Sequence, residues 1–357
     1  MFVITIFSFC SCQNNSNSNI DKNENTTKDI SKIKYKIVDN RIDEKDVKIL
    51  KSMYVISRNK PKIREQANKN AQVLGNFEYG EKLNVIEETK DWYGVAHDVT
   101  RDDFRDGTKM SLTYLEKVYI LKSETGNIDK INILPSELQV MYSLTRINKT
   151  NTFEKLPKLN THLDIEIIDK AIFDNKRKNA INYFSKYKSV IKKSKGVITV
   201  KGKNEIVIFI DELESENLRL ECTFIGKFDF LNTYLIDGSY LENQAYRFID
   251  LTSWKNKKTF NGYPYVSTDK RHIICISKDN DDYFDSTADL SLYTLENEEI
   301  HQKMKVSFKN WIPADSENSI FWSDDNYLYM TINYVIKNEK DTYIIEDKIQ
   351  YIRIHVL

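Results

Sequence analysis

Short apolar runs alternating with polar residues dominate this chain, and they gather in two separate stretches. From Met53 to about Leu121, "KLNVIEE" (Lys82–Glu88) and "WYGVAH" (Trp92–His97) alternate as half-buried strands do, with Tyr79-Gly80 and Thr89-Lys90-Asp91 as turns. From Leu163 the text alternates again in "LDIEIID", and from Val197 to Leu357 nearly every segment predicts a strand. "NEIVIFID", "LRLECTF", "YRFIDL", "RHIICIS", "LSLYTL", "YLYMTINY" and "IQYIRIHVL" are spaced there by polar loops. One interruption has another period. Ala180, Phe184, Tyr187 and Ile191 recur at helical spacing, and Gly196 is placed to stop a helix. Tyr35–Lys51 is a charged connector in which "IDEKDVKIL" predicts one or two helical turns.

The N-terminus follows neither period. Met1–Phe9 is an apolar run too short to span a bilayer, which takes about 20 residues, and it has the character of a secretory signal's hydrophobic part. Gln13–Lys34 is rich in Asn, Ser, Thr, Lys and Asp, and holds too little apolar surface to fold, as a solvated tether would. Between them Phe9-Cys10-Ser11-Cys12 resembles a bacterial lipobox. That resemblance implies lipidation of Cys12, with Ser11 as the small residue before the cut, export, and a membrane anchor facing the periplasm. No Lys or Arg precedes the apolar run, which departs from the usual signal. An ordinary secretory signal or a disordered tail is the competing reading.

Composition sharpens the picture in two places. Aromatics reach 12%, with 21 Tyr and 17 Phe against 10 Gly and 5 Pro, a balance that favours pleated, half-buried surfaces. Lys and Arg (53) cancel Asp and Glu (53), so no global field collects phosphates, and nucleic acid is not an expected partner.

Lys60–Val95, "KPKIREQANKNAQVLGNFEYGEKLNVIEETKDWYGV", resembles a bacterial SH3 (SH3b) domain. Ile63-Arg64, Val73-Leu74-Gly75, Gly80, Leu83-Asn84-Val85 and Trp92-Tyr93-Gly94-Val95 fill the places of the family pattern. Two features depart from it. Gln66-Ala67-Asn68 stands where the family has Gly-Pro. The second "G-W-V" strand is replaced by a charged insertion, "HDVTRDDFRDGTKMS", with "TYLEKVYILKS" as closing strand. The resemblance implies a small barrel with a non-catalytic binding role towards cell-wall peptides or envelope proteins. Tyr79, Trp92 and Tyr93 are its candidate ligand-binding aromatics, with burial in the core as the other reading of each, most of all for Trp92.

Two later stretches match at an offset of 56 residues, "YVSTDKRHIICI" (Tyr265–Ile276) and "FWSDDNYLYMTI" (Phe321–Ile332). Both place Ser two residues before Asp ahead of an apolar strand. This resembles the blade-opening hairpin of Tol-type β-propellers, in which the Ser and Asp side chains satisfy turn backbone. A β-sandwich or open meander is the alternative.

Motifs of catalysis are not legible: no G-x-S-x-G elbow, H-E-x-x-H pair, phosphate loop or C-x-x-C occurs. No catalytic residue, metal site or cofactor is therefore expected. Acid-rich "KDNDDYFDSTAD" (Lys278–Asp289) lacks the Gly and terminal Glu of a calcium loop, so Asp279, Asp281 and Asp285 read as a solvated hairpin. Basic Asn175–Lys195 reads as a solvated helix face. Cys222 and Cys275 read as buried thiols, with a disulfide as the alternative. Loops Lys278–Asp289 and Pro313–Asn318, with Tyr283, Phe284 and Trp311 at their edges, are candidates for a recognition surface.

The expected architecture is mainly β: a signal (1–12), a tether and connector (13–51), an SH3-like barrel (52–125), and a larger propeller-like all-β domain with one helical segment (126–357). The expected function is non-catalytic binding by a lipid-anchored envelope protein. The competing class is a cell-wall hydrolase whose carboxylates sit unrecognised among 53 acids.

Overall fold

The computed structural model describes residues 40–357 except 106–107, 148–152, 156–158, 186–190, 192, 202–205, 213–219, 241–242, 280–286, 315–318 and 338–341. Cys12, the signal, the tether up to residue 39, Tyr187, Tyr283, Phe284, Asp281 and Asp285 lie outside the described residues. Residues 40–357 hold together as one compact unit, and the fold is mainly β.

Seven strands make the first sheet: β1 (Lys51–Val55), β2 (Lys62–Arg64), β3 (Val73–Asn76), β4 (Lys82–Glu88), β5 (Trp92–Arg105), β6 (Thr108–Leu121) and β7 (Thr125–Gly126). Their order is β3-β2-β6-β5-β4-β1-β7. Period-2 alternation puts Leu83 and Val85 of β4 inside and Asn84 outside. Phe77, Tyr93, Val95, Val118 and Ile120 close the core of this sheet. The charged insertion is strand at its described residues. It lengthens β5 and β6 into one hairpin, paired from Trp92↔Leu121 outwards, and polar residues suit a ribbon that projects beyond the core. The sheet is open in its strand order rather than closed as a barrel.

Along the rest of the chain come α1 (Pro135–Leu138), β8 (Met141–Ile147), β9 (Phe153–Lys155), β10 (Leu163–Ile168), α2 (Lys170–Arg177), β11 (Ala180–Ile181) and β12 (Phe184–Ser185). A hairpin sheet follows: β13 (Lys193–Ser194), β14 (Val197–Lys201) and β15 (Ile206–Ile210). Three antiparallel meanders then run in succession. The first is β16 (Leu220–Phe228), β17 (Thr233–Tyr240), β18 (Asn243–Asp250) and β19 (Asn256–Asn261). The second is β20 (Pro264–Val266), β21 (His272–Asp279), β22 (Thr287–Glu296) and β23 (Glu299–Phe308). The third is β25 (Ile320–Ser323), β26 (Leu328–Lys337) and β27 (Thr342–Val356), with β24 (Trp311–Pro313) also on β26. Earlier strands complete each meander. β12 pairs with β16, β8 with β23, and β10 with β27 from Leu163↔Val356 to Ile168↔Tyr351. The main core, including Leu163, Leu290, Val306, Met330 and Ile352, lies among these sheets.

Two expectations are corrected here. The helix expected from Ala180 and Phe184 is not found at its described positions: α2 ends at Arg177, and these two residues enter short strands on β25 and β16. Asn182 explains the break, because its side-chain oxygen accepts from the Phe184 N–H at 2.9 Å and offers the backbone a turn instead. Gly196 serves a hairpin: Lys195 (φ 47°) and Gly196 (φ 75°) make the tight turn between β13 and β14. Trp311 is also no surface aromatic. It is fully buried, stacked on Phe308 at 4.4 Å, with its indole N–H donating to the Leu138 carbonyl. Cys222 and Cys275 are free thiols buried in separate clusters, and burial pushes the Cys275 thiol up.

Candidate functional site

The three candidate aromatics come to lie in three different surroundings. Tyr93 is a core residue of the first sheet, and its ring carries two ammonium groups, Lys51 at 4.5 Å and Lys122 at 5.0 Å. Both lysines bridge Glu88, at 2.8 Å and 2.7 Å. Hydrogen bonds from Lys122 and then Lys51 hold the Glu88 carboxyl below its ordinary range. The result is a surface cluster with two cations and one anion over an aromatic face.

Trp92 precedes Tyr93 on β5, so its side chain faces the opposite side of the strand. It is 8% exposed yet belongs to none of the apolar clusters. The predicted Thr89-Lys90-Asp91 turn anchors it. The Thr89 N–H donates to the Trp92 carbonyl at 3.0 Å, and the Trp92 N–H donates to the Thr89 hydroxyl at 3.2 Å. Along the same face Gly94 lets Tyr119 approach, since a Cβ there would sit 3.3 Å from the Tyr119 ring and 2.9 Å from the Glu87 Cβ. Lys117 and Tyr119 both donate to Glu87, at 2.8 Å and 3.2 Å.

Tyr79 points elsewhere. Its hydroxyl accepts from the Asn132 N–H at 2.8 Å and donates towards the carbonyls of Asn132 (3.3 Å) and Lys130 (3.4 Å). The Arg58 guanidinium lies 3.9 Å above its ring, and Tyr334 packs beside it at 6.2 Å. Gly80 allows this close approach: its φ of +79° suits glycine, and a Cβ would fall 1.9 Å from the Ile336 side chain. The first sheet thus reads main-chain groups of the segment that leads to the larger region. Sequence reasoning missed Arg58, Asn132 and Glu137, for which no local pattern exists.

The first Ser-x-Asp turn carries the side-chain bonds expected of it; in the second the Asp does, while the Ser reaches out of the turn. Ser267 accepts from the His272 N–H at 2.9 Å and donates to Asp269, which accepts from the Arg271 N–H. Ser323 donates to the Lys176 carbonyl, and Asp325 accepts from the Tyr327 N–H. The turns also meet, through Thr268 and Asn326 at 2.6 Å.

Among the described residues no group of three His, Cys, Asp or Glu side chains is placed to hold a metal, and no helix is long and apolar enough to cross a membrane. No curated protein and no solved structure matches the chain significantly, and nothing found supports the likeness to Tol-type propeller blades. The family model of the bacterial SH3 domain matches residues 60–109, from the approach to β2 through β5 into the start of β6.

Proposed function

We propose that this chain is a binding protein of the bacterial cell envelope, anchored through a lipidated Cys12 and displayed on the periplasmic side by its Asn/Ser-rich tether. Its SH3-like sheet recognises a cell-wall peptide. The observation that carries the reading is the bacterial SH3 match over 60–109. The sheet's behaviour at Tyr79 supports it, because there it already grips carbonyl and amide groups of a peptide segment, Lys130–Asn132. The Tyr93 face, with Lys51 and Lys122, suits a peptide carrying a carboxylate. Trp92, a candidate contact of the same module, lies on the other side of β5 and is 8% exposed. The propeller-like reading of the larger region rests on its three meanders and two Ser-x-Asp turns. That region acts as a second rigid surface for a protein partner.

Two measurements test this. Mass spectrometry of the mature protein should show an N-terminal diacylglyceryl-cysteine at Cys12; a chain retaining Met1–Phe9 refutes the anchor. Purified protein should be retained saturably on isolated cell wall. Release of soluble wall fragments, abolished by a carboxylate substitution, would establish the hydrolase instead.

A further inference from the structure

A cavity of about 290 Å³ opens in the larger region, away from the SH3-like sheet. Three sheets wall it: β11 with β25, β20, and Phe228 at the end of β16. Tyr183, Tyr263, Tyr265 and Trp322 line it with aromatic surface. Its size lies at the small end of ligand sites, room for a single ring.

The walls are held in place before any ligand arrives. Gly262, at φ +107°, turns the chain from β19 into β20, and a Cβ there would lie 2.6 Å from the Ile276 carbonyl oxygen. That turn delivers Tyr263 and Tyr265, whose rings pack 4.8 Å apart. Gly226 lets Phe184 and Ser185 close on β16, where a Cβ would lie 2.3 Å from the Phe184 ring. The Tyr183 hydroxyl donates to the Thr268 carbonyl, and the Trp322 indole donates to the Tyr265 carbonyl at 3.1 Å. The two Ser-x-Asp turns brace the same corner through Thr268 and Asn326.

The polar side chains of this cavity are phenols, one guanidinium and one amide. Among the described residues, neither the Tyr263 nor the Tyr265 hydroxyl is engaged in a hydrogen bond, and burial keeps both phenols protonated far into the alkaline range. Arg177 and the Asn182 amide stand at the rim, and none of the lining residues is acidic. A cation would find no counter-charge, and the Tyr263 and Tyr265 phenols each keep a proton to donate. Flat aromatic walls and waiting phenols suit the opposite: a ring with an apolar face and an accepting oxygen.

We propose that this cavity binds a small ring compound bearing a carbonyl or carboxylate oxygen, its face against the aromatic walls and its oxygen accepting from Tyr263 and Tyr265. An N-acetylated sugar and an aromatic acid both carry that chemistry. Calorimetric titration of the full chain with N-acetylglucosamine and, separately, with benzoate distinguishes them. Saturable binding of one probe is expected, weakened about tenfold by Tyr263→Phe or Tyr265→Phe, as for loss of one hydrogen bond. Ala180 is exposed at the rim, so Ala180→Trp should leave the melting temperature unchanged and abolish binding. Failure of both probes to bind at about 10 mM, far weaker than any useful site, would overturn the proposal. So would binding indifferent to all three substitutions.

Discussion

Arg58 grips Glu137 through two roughly parallel hydrogen bonds, Nη1 to Oε1 at 2.5 Å and Nη2 to Oε2 at 3.2 Å, across 79 positions of sequence. The same carboxylate accepts from the Leu134 N–H at 2.7 Å and from the Tyr334 hydroxyl at 3.1 Å. Glu137 therefore joins the β1–β2 connection, the α1 turn and β26 at one point. Pro135, at the first position of α1, needs no N–H partner there, which frees the carboxylate for the other donors.

The two ends of this pair should not cost the same when removed. Arg58→Ala loses an outer partner that is partly solvated, and should cost about 1 kcal/mol. Glu137→Ala strands the guanidinium, the Leu134 N–H and the Tyr334 hydroxyl together, and should cost about 2 kcal/mol or more. Urea denaturation of the two variants reads the difference. Equal losses would mean that Glu137 is not the shared anchor.

Gly80 and Ile336 meet across the same seam, so their substitutions should be coupled. Gly80→Ala suffers both the positive φ and a collision with the end of the Ile336 side chain. Ile336→Val shortens that side chain and should recover part of the loss, giving a favourable interaction energy of about 0.5–1 kcal/mol in a double-mutant cycle. Strict additivity would place the whole cost in the backbone.

Ser267→Ala and Ser323→Ala should each lower stability by about 1–2 kcal/mol, because both serines are buried and each satisfies groups that no solvent replaces. Thermal melts provide the check. Variants that melt with the wild type would reduce the repeated Ser-x-Asp pattern to coincidence.

Alkaline pH should loosen the corner around Tyr263. Burial pushes its phenol up to about 12, against about 10 for an exposed tyrosine. The folded state keeps the proton while the unfolded state releases it, so stability is unchanged below about pH 10 and falls as the pH climbs towards 12. Tyr263→Phe should remove part of that fall in denaturation series at pH 9 to 11. A slope identical to wild type would place the shift elsewhere.

Alternation carried most of the strand reading, because residues such as Leu83, Val85, Ile274 and Ile354 face cores that fix their period. The first Ser-x-Asp turn was legible for a related reason: its bonds close within five residues, whereas Ser323 of the second reaches Lys176, 147 positions away. What escaped was non-local. Ala180 and Phe184 keep helical spacing, yet partners on β25 and β16 and the Asn182 turn decide their state. Tyr79 carries a phenol whose use depends on Asn132, 53 positions away. The family match brought out the SH3-like stretch but not the segment it grips.

The central claim is that the SH3-like sheet binds a cell-wall peptide, and one titration addresses it most directly. Purified full-length protein is titrated calorimetrically with a soluble, carboxylate-bearing cell-wall peptide, beside a Lys51→Glu/Lys122→Glu variant of unchanged melting temperature. Both lysines lie at the surface on Glu88, so the variant reverses the charge over Tyr93 without opening the core. The account predicts saturable binding to the wild type, weakened at least tenfold in the variant, about 1.4 kcal/mol or more. Equal affinity for both proteins, or no binding by a folded wild type, would contradict it.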